Sequence, residues 1–384
     1  MMKLLRNADV YAPEHLGVND ILIAGGKIIA IAPDLGHYDG LPEVEVVDLG
    51  GCITTPGIVD AHVHITGGGG EQGPISRVPE LQLTDFTLNG VTTTLGLLGT
   101  DGTTRSQQAL LAKAKALNSE GITTYTITGS YQYPSRTLTG NVTDDIILLD
   151  SCIGVKVALS DHRSSSTTAA ELARLGSEAR LGGLLSGKPG IVILHMGGAP
   201  RGMDMVFEVL DDYDVPIGAL VPTHCGRNQH LTDQAEQFIS RGGMADFTAS
   251  ENGPKCANAV AGLIKKGVNP EGIMISSDAG GSLPSFDASG KCVSMGIGSM
   301  RSMLMELRRL VFDHNINIST ALLPLTKNPA KLLLAEGIKG ALAAGADADI
   351  LCMDKNLEIS SLYSRGRLMV EDGEAVVLGM FEKR

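Results

Sequence analysis

The chain has 384 residues, 43 % of them apolar and 19 % charged, the profile of a globular protein with one large domain or two ordinary ones. Its net charge of −12, without a basic block, argues against nucleic acid as a partner, and no apolar run approaches the roughly 18 residues of a membrane helix. Six scattered cysteines without a CxxC pair argue for reduced thiols and against a disulfide framework or a thiolate zinc site.

The opening Met1-Met-Lys-Leu-Leu-Arg lacks the apolar core of a secretory signal, so a cytoplasmic protein is expected. Short strands are predicted over residues 8–11, 20–24, 27–32 and 44–47, with Ala24-Gly-Gly-Lys27 as a hairpin signal. The run from Gly51 reads as a turn feeding an apolar strand. From there strands and helix-length segments alternate. Strands are predicted over 58–64, 91–98, 123–129, 154–160, 191–195, 219–224, 245–249 and 272–278, and helices over 106–120, 168–180 and 233–241. Eight strands with intervening helices match a (β/α)8 TIM barrel, whereas an open doubly wound sheet lacks its GxGxxG. Further strands at 349–353, 361–366 and 375–378 echo the N-terminal ones. The expected fold is therefore α/β: a barrel over 55–334, with a small β-sandwich built from 1–54 and 335–384.

The most informative run is Asp60-Ala-His62-Val-His64. On a strand, residues i and i+2 share a face, so both imidazoles aim one way. A lone HxH is as often one core and one solvated histidine. Here Lys156, His195, His224 and Asp278 also fall on later predicted strands, at or near ends that face a common barrel mouth. Together the six residues can hold two divalent metals. Lys156, flanked by apolar residues, is a buried cation that needs an acidic partner or a neutral form. Beside the other ligands, a carbamate formed with carbon dioxide is favoured, its two oxygens bridging two metals.

These stretches, with Gly67-Gly-Gly-Gly-Glu71-Gln-Gly-Pro74, Leu97–Asp101, Thr128–Arg136, Ser160–Ser164 and Pro222–Asn228, resemble the amidohydrolase superfamily and, more narrowly, its isoaspartyl (β-aspartyl) dipeptidase family. The resemblance covers nearly the whole chain. HxH marks only the superfamily; the four glycines followed by Glu, with the Tyr and two Arg motifs, mark the family. It implies one zinc on His62, His64 and Asp278 and a second on His195 and His224, bridged by carboxylated Lys156 and a hydroxide. Asp278 becomes the general base and acid, and Tyr131 an oxyanion donor. For a β-aspartyl dipeptide, Glu71 suits the α-ammonium. The Gly69 and Gly70 amides with Thr100 and Ser282 suit the aspartyl carboxylate, and Arg163 and Arg227 the terminal carboxylate. Barrels of this kind are expected to form symmetric homo-oligomers.

Plainer readings stand beside these. Gly67–Gly70 alone is a flexible loop, Arg163 pairs with Asp161 on the surface, Tyr133 replaces Tyr131, and Ser282 caps a turn. Cys225 packs as a small apolar residue, His162 is structural, and His15, His37, His230 and His314 lie in surface segments. A cyclic-amide hydrolase of the dihydropyrimidinase or dihydroorotase type competes within the enzyme class, but gives no reason for Glu71. A non-catalytic scaffold gives no reason for the ligand set.

Overall fold

The computed structural model describes residues 2–287 and 289–383. At the N-terminus β1 (Met2–Tyr11) pairs antiparallel with β2 (His15–Ala24), which turns into β3 (Lys27–Ala32). Gly25 and Gly26 make that turn at φ 59° and 78°, a conformation only glycine adopts cheaply. β4 (Val44–Asp48) and β5 (Ile53–Pro56) both run parallel to β1, β4 along its first half and β5 beside Asp9 and Val10. Residues 53–56, expected within a turn, are strand because a segment from the far end of the chain supplies their antiparallel partner.

Six parallel strands follow in chain order as neighbours: β6 (Ile58–Val63), β7 (Val91–Gly96), β8 (Thr123–Gly129), β9 (Cys152–Leu159), β10 (Ile191–Met196) and β11 (Leu220–Thr223). β12 (Ala245–Thr248) and β13 (Ile273–Ser276) form a separate parallel pair. The described ladders thus give a parallel half-barrel and a pair, not a continuous eight-stranded ring. Single main-chain bonds bridge the gaps, from Cys225 N–H to Asp246 C=O (3.0 Å) and from His64 N–H to Ala279 C=O (2.8 Å). Period two decides which side chains face inward. Ile191 and Ile193 pack with Leu95, Ile127, Val221 and Met274, while Val192 and Leu194 pack with Leu172 and Leu175 of the helix Ala169–Ser186. His195 follows Ile191 and Ile193 and faces inward with them.

Helix starts obey their caps. Ser106 and Thr168 cap the helices Gln107–Glu120 and Ala169–Ser186, and Asn228 starts Gln229–Ser240 a turn earlier than the apolar pattern alone predicts. After β13 comes an unpredicted hairpin, β14 (Ser282–Phe286) and β15 (Cys292–Ile297). None of the described side chains on its two strands is fully buried, so it carries no apolar alternation to read. β16 (Ile350–Met353), β17 (Ile359–Ser364), β18 (Arg367–Glu371) and β19 (Glu374–Ala375) then join the N-terminal strands, β16 antiparallel to β5. The two chain ends meet as expected, but in one continuous nine-stranded sheet where a sandwich was predicted. Ile350 and Cys352 pack with Leu5, Val10 and Ile21 of that sheet, while Leu351 and Met353 join the large core beneath the parallel strands. No described helix is long and apolar enough to cross a membrane.

Candidate active site

The predicted ligands converge at the C-terminal ends of the parallel strands. His62 and His64 present Nε2 to Asp278 Oδ1 at 3.6 and 3.1 Å. Lys156 Nζ lies 3.0 Å from His62 Nε2. The His224 ring lies 5.1 Å from that of His62 and 4.5 Å from that of His195. His62, His224 and Asp278 bring ligand atoms within 4.8 Å of one another, a cluster that can hold a metal ion. His224 and Asp278 sit at φ 68° and 52°, the left-handed region that non-glycine residues seldom occupy. Such strain persists where surrounding structure enforces it, commonly at functional sites.

All six residues are buried. Burial pushes the four imidazoles below the ordinary histidine range, so they are neutral and keep a lone pair. Burial raises the proton affinity of Asp278, but His64, His62 and Lys156 outweigh it and hold the carboxylate ionised. Burial drives Lys156 down to about 7, with Asp278 opposing and Arg163 and Arg227 reinforcing. No carboxylate among the described residues is within ion-pair distance of Lys156, so the simple ion-pair reading finds no support. His195 Nδ1, His224 Nε2 and Asp278 Oδ1 are buried without a hydrogen-bond partner, as are Nδ1 of His62 and His64. Protein interiors rarely leave so many polar atoms unmatched, and a cation that accepts lone pairs matches His195 Nδ1, His224 Nε2 and Asp278 Oδ1, while His62 and His64 face Asp278 through Nε2. The residues fit a metal.

Above this floor opens a cavity of about 700 Å³. Of the predicted site residues, only His62, Lys156, Gly70 and Glu71 do not line it, and each adjoins one that does. Tyr131 does, and Tyr133 does not. The Tyr131 ring lies 4.1 Å from that of His195, and burial keeps its phenol protonated, a donor. Glu71 Oε1 accepts from Ser282 Oγ (2.8 Å), Thr100 Oγ1 (3.0 Å) and Arg163 Nη1 (3.2 Å), whereas its Oε2 is buried without a partner. Gly69 has φ 87°, and a Cβ there would meet Ser76 O at 2.1 Å, so only glycine fits. The Gly70 N–H is spent on Ser76 C=O (3.2 Å), which leaves Gly69 as the amide without a main-chain acceptor. Arg227 is exposed at the rim, its guanidinium without a protein partner among the described residues. A second cavity of about 490 Å³ opens at the opposite strand ends, beside Ile191 and Leu220, and contains none of these residues.

A family model described as "Amidohydrolase family" matches residues 53–374. The chain belongs to the amidohydrolase family. Within it the resemblance to β-aspartyl dipeptidases is borne out. The β-aspartyl dipeptidase of Fervidobacterium islandicum AW-1, solved in complex with β-Asp-Leu dipeptide, is 39 % identical over all of both chains, with a TM-score of 0.92. A second β-aspartyl dipeptidase structure from that organism is 38 % identical over 98 % of each chain, with a TM-score of 0.89. Allantoinase of Escherichia coli (strain K12) is 41 % identical over 63 residues, which span 16 % of this chain and 13 % of the allantoinase.

This amidohydrolase also holds residues that sequence reasoning passed over. Asp60 accepts from the N–H of His62 (3.3 Å) and from the N–H (3.1 Å) and hydroxyl of Ser277, tying the HxH strand to the Asp278 strand. His224 Nδ1 shares a 2.6 Å hydrogen bond with Thr248 Oγ1, and Asp246 accepts from Ser276 Oγ (2.7 Å) and Thr223 Oγ1. Asp246 and Thr248 lie on β12, for which the sequence offered no ligand. Polar residues at a strand's buried end were the available signal. Asp161, expected to meet Arg163 on the surface, does so in the interior, with 4 % of its side chain exposed. His162 is exposed and sits edge-on to Phe286 at 4.6 Å.

Proposed function

We propose that this chain is a metal-dependent dipeptidase that cleaves β-aspartyl (isoaspartyl) dipeptides on a (β/α)8 barrel over 55–334, with 1–54 and 335–384 as its small β domain. The observation that carries the reading is Glu71. Its unpartnered, buried Oε2 beside the cavity offers a carboxylate to a ligand ammonium, and a cyclic amide has none. The similar F. islandicum enzyme, solved with β-Asp-Leu, supports the same substrate class.

In this reading His62, His64 and Asp278 would hold one zinc ion and His195 and His224 a second, and Lys156, carboxylated, would serve both. When bound, such ions lower the pKa of water and polarise a carbonyl. The ionised Asp278 takes a proton from the attacking water and returns it to the leaving amino group. Tyr131, kept protonated, donates to the oxygen of the scissile carbonyl as charge develops there. The Gly69 N–H and the Thr100 and Ser282 hydroxyls bind the aspartyl α-carboxylate, and Gly70 shapes the turn that presents Gly69. Arg163 and Arg227 bind the carboxylate of the leaving residue.

The test is leucine release from β-Asp-Leu and from α-Asp-Leu by the zinc-reconstituted protein. Turnover of the β-linked peptide alone is expected. Two bound zinc ions with neither peptide cleaved would overturn the substrate assignment and favour another acyl compound.

A further inference from the structure

Asp161 stands at a branch point between the two halves of the site. Its Oδ2 lies 3.1 Å from His195 Nε2 and 2.8 Å from Arg163 Nη2. Its Oδ1 accepts from Arg163 Nε (2.9 Å) and from the Arg163 N–H (2.8 Å). One carboxylate therefore holds a fork of the guanidinium and, with one of the same oxygens, faces Nε2 of His195. The other nitrogen of His195, Nδ1, is the buried unpartnered one. A hydrogen bond at Nε2 fixes the tautomer and leaves Nδ1 as the lone pair; a carboxylate behind a ligating histidine also raises its basicity.

On the other branch, Asp161 occupies Nε and an N–H of Nη2. Arg163 is left with its Nη1 edge, which reaches Glu71 Oε1 (3.2 Å) and Thr100 Oγ1 (3.4 Å). Phe286 and Tyr131 flank the guanidinium, at 5.7 and 5.2 Å from Cζ to ring centroid. The group cannot swing without breaking two charged hydrogen bonds in the interior.

We propose that Asp161 is a positioning residue that couples carboxylate docking at Arg163 to metal retention at His195. The proposal rests on the dipeptidase reading for its substrate and on the fit of the cluster to a metal for its second arm. It assigns Asp161 two effects that separate by mutation. Asp161→Asn keeps the shape, but loses the charge and turns an amide toward either His195 or Arg163. Arg163→Lys removes the fork and leaves Asp161 to His195 and to the main-chain N–H of residue 163.

The experiment measures Zn²⁺ retention by competition with a chromophoric chelator, without substrate, and kcat and KM for β-Asp-Leu in the reconstituted enzymes. Asp161→Asn is expected to weaken retention of one zinc equivalent by about 10- to 100-fold and also to raise KM. Arg163→Lys is expected to raise KM with Zn²⁺ retention at the wild-type level. Wild-type retention in Asp161→Asn overturns the coupling, because Asp161 would then serve the arginine alone. Weakened retention with an unchanged KM overturns it from the other side. Should Asp161→Asn not fold, Asp161→Glu takes its place, since it keeps the charge but displaces it. Weakened retention together with a raised KM in that variant supports the coupling, and a change in one quantity alone overturns it. The chelator arm needs no turnover, so failure of the β-Asp-Leu assignment leaves a distinct signature: intact metal effects with no cleavage in any variant.

Discussion

The floor and the rim of the cavity are built in opposite ways. The floor residues are buried and sit on the parallel strands or just past them: the period of the sheet fixes His62, Lys156 and His195, and the left-handed backbone after β11 and β13 fixes His224 and Asp278. The rim residues Glu71, Thr100, Arg163, Arg227 and Ser282 come from loops and a hairpin, and side-chain hydrogen bonds position most of them. Strand geometry suits groups whose placement must not vary by fractions of an ångström. Loops suit groups that must release one partner to take another, as the proposed docking of a substrate carboxylate would ask of the Thr100 and Ser282 hydroxyls now held by Glu71.

If this division is right, substitutions in the floor and the rim fail in different quantities. The largest effect is expected from Asp278→Asn in zinc-loaded protein: kcat for β-Asp-Leu falls about 10²- to 10⁴-fold with KM little changed. A rise in KM alone would erase the distinction. The two rim arginines sharpen it. Arg163→Ala strands the buried Asp161 and Glu71 carboxylates and is expected to cost about 3–5 kcal/mol of stability by denaturant titration. Arg227→Ala, at an exposed site, leaves the melting temperature unchanged and raises KM roughly 10- to 100-fold. Equal melting losses for both would show that the rim is not held as described.

The smallest effect lies under the floor. Burial pushes Asp246 up to about 7, against the Thr223 and Ser276 hydroxyls that favour its charged form. A carboxyl with a raised folded pKa binds more protons folded than unfolded, so its contribution to stability is full below about pH 4 and is lost as pH rises toward 7. Asp246→Asn should therefore flatten the stability profile across that window, by at most roughly 1.4 kcal/mol per pH unit. An unchanged slope would assign the titration elsewhere.

How far each region was legible follows from the same contrast. The floor could be read because one side chain per strand end is a periodic signal: His62 and His64 two apart, and single ligands on β9 and β10 and just after β11 and β13. The Gly25–Gly26 turn and the helix starts at Ser106 and Thr168 were legible for a similar reason, since their residue types answer local geometry. The rim was readable only through resemblance to a family, because Glu71 and Ser282 lie 211 residues apart and no periodicity joins them. Asp161 looked like a surface partner because sequence carries no measure of depth. Strand β5 was missed because its partner arrives from the other end of the chain.

That pairing has a consequence for how the molecule is made. Thr54 on β5 and Cys352 on β16 stand opposite each other, 298 positions apart along the chain. As the polypeptide leaves the ribosome, β5 can pair with β1 early but has no β16 to pair with until residues 350–353 have been made. Through that interval its outer N–H and C=O groups form an open sheet edge, the surface on which nascent chains aggregate. The parallel strands that carry the cluster can be assembled before β16 to β19 are available to dock. Loss of β16 would thus threaten solubility in the cell before it touched a single residue of the cavity.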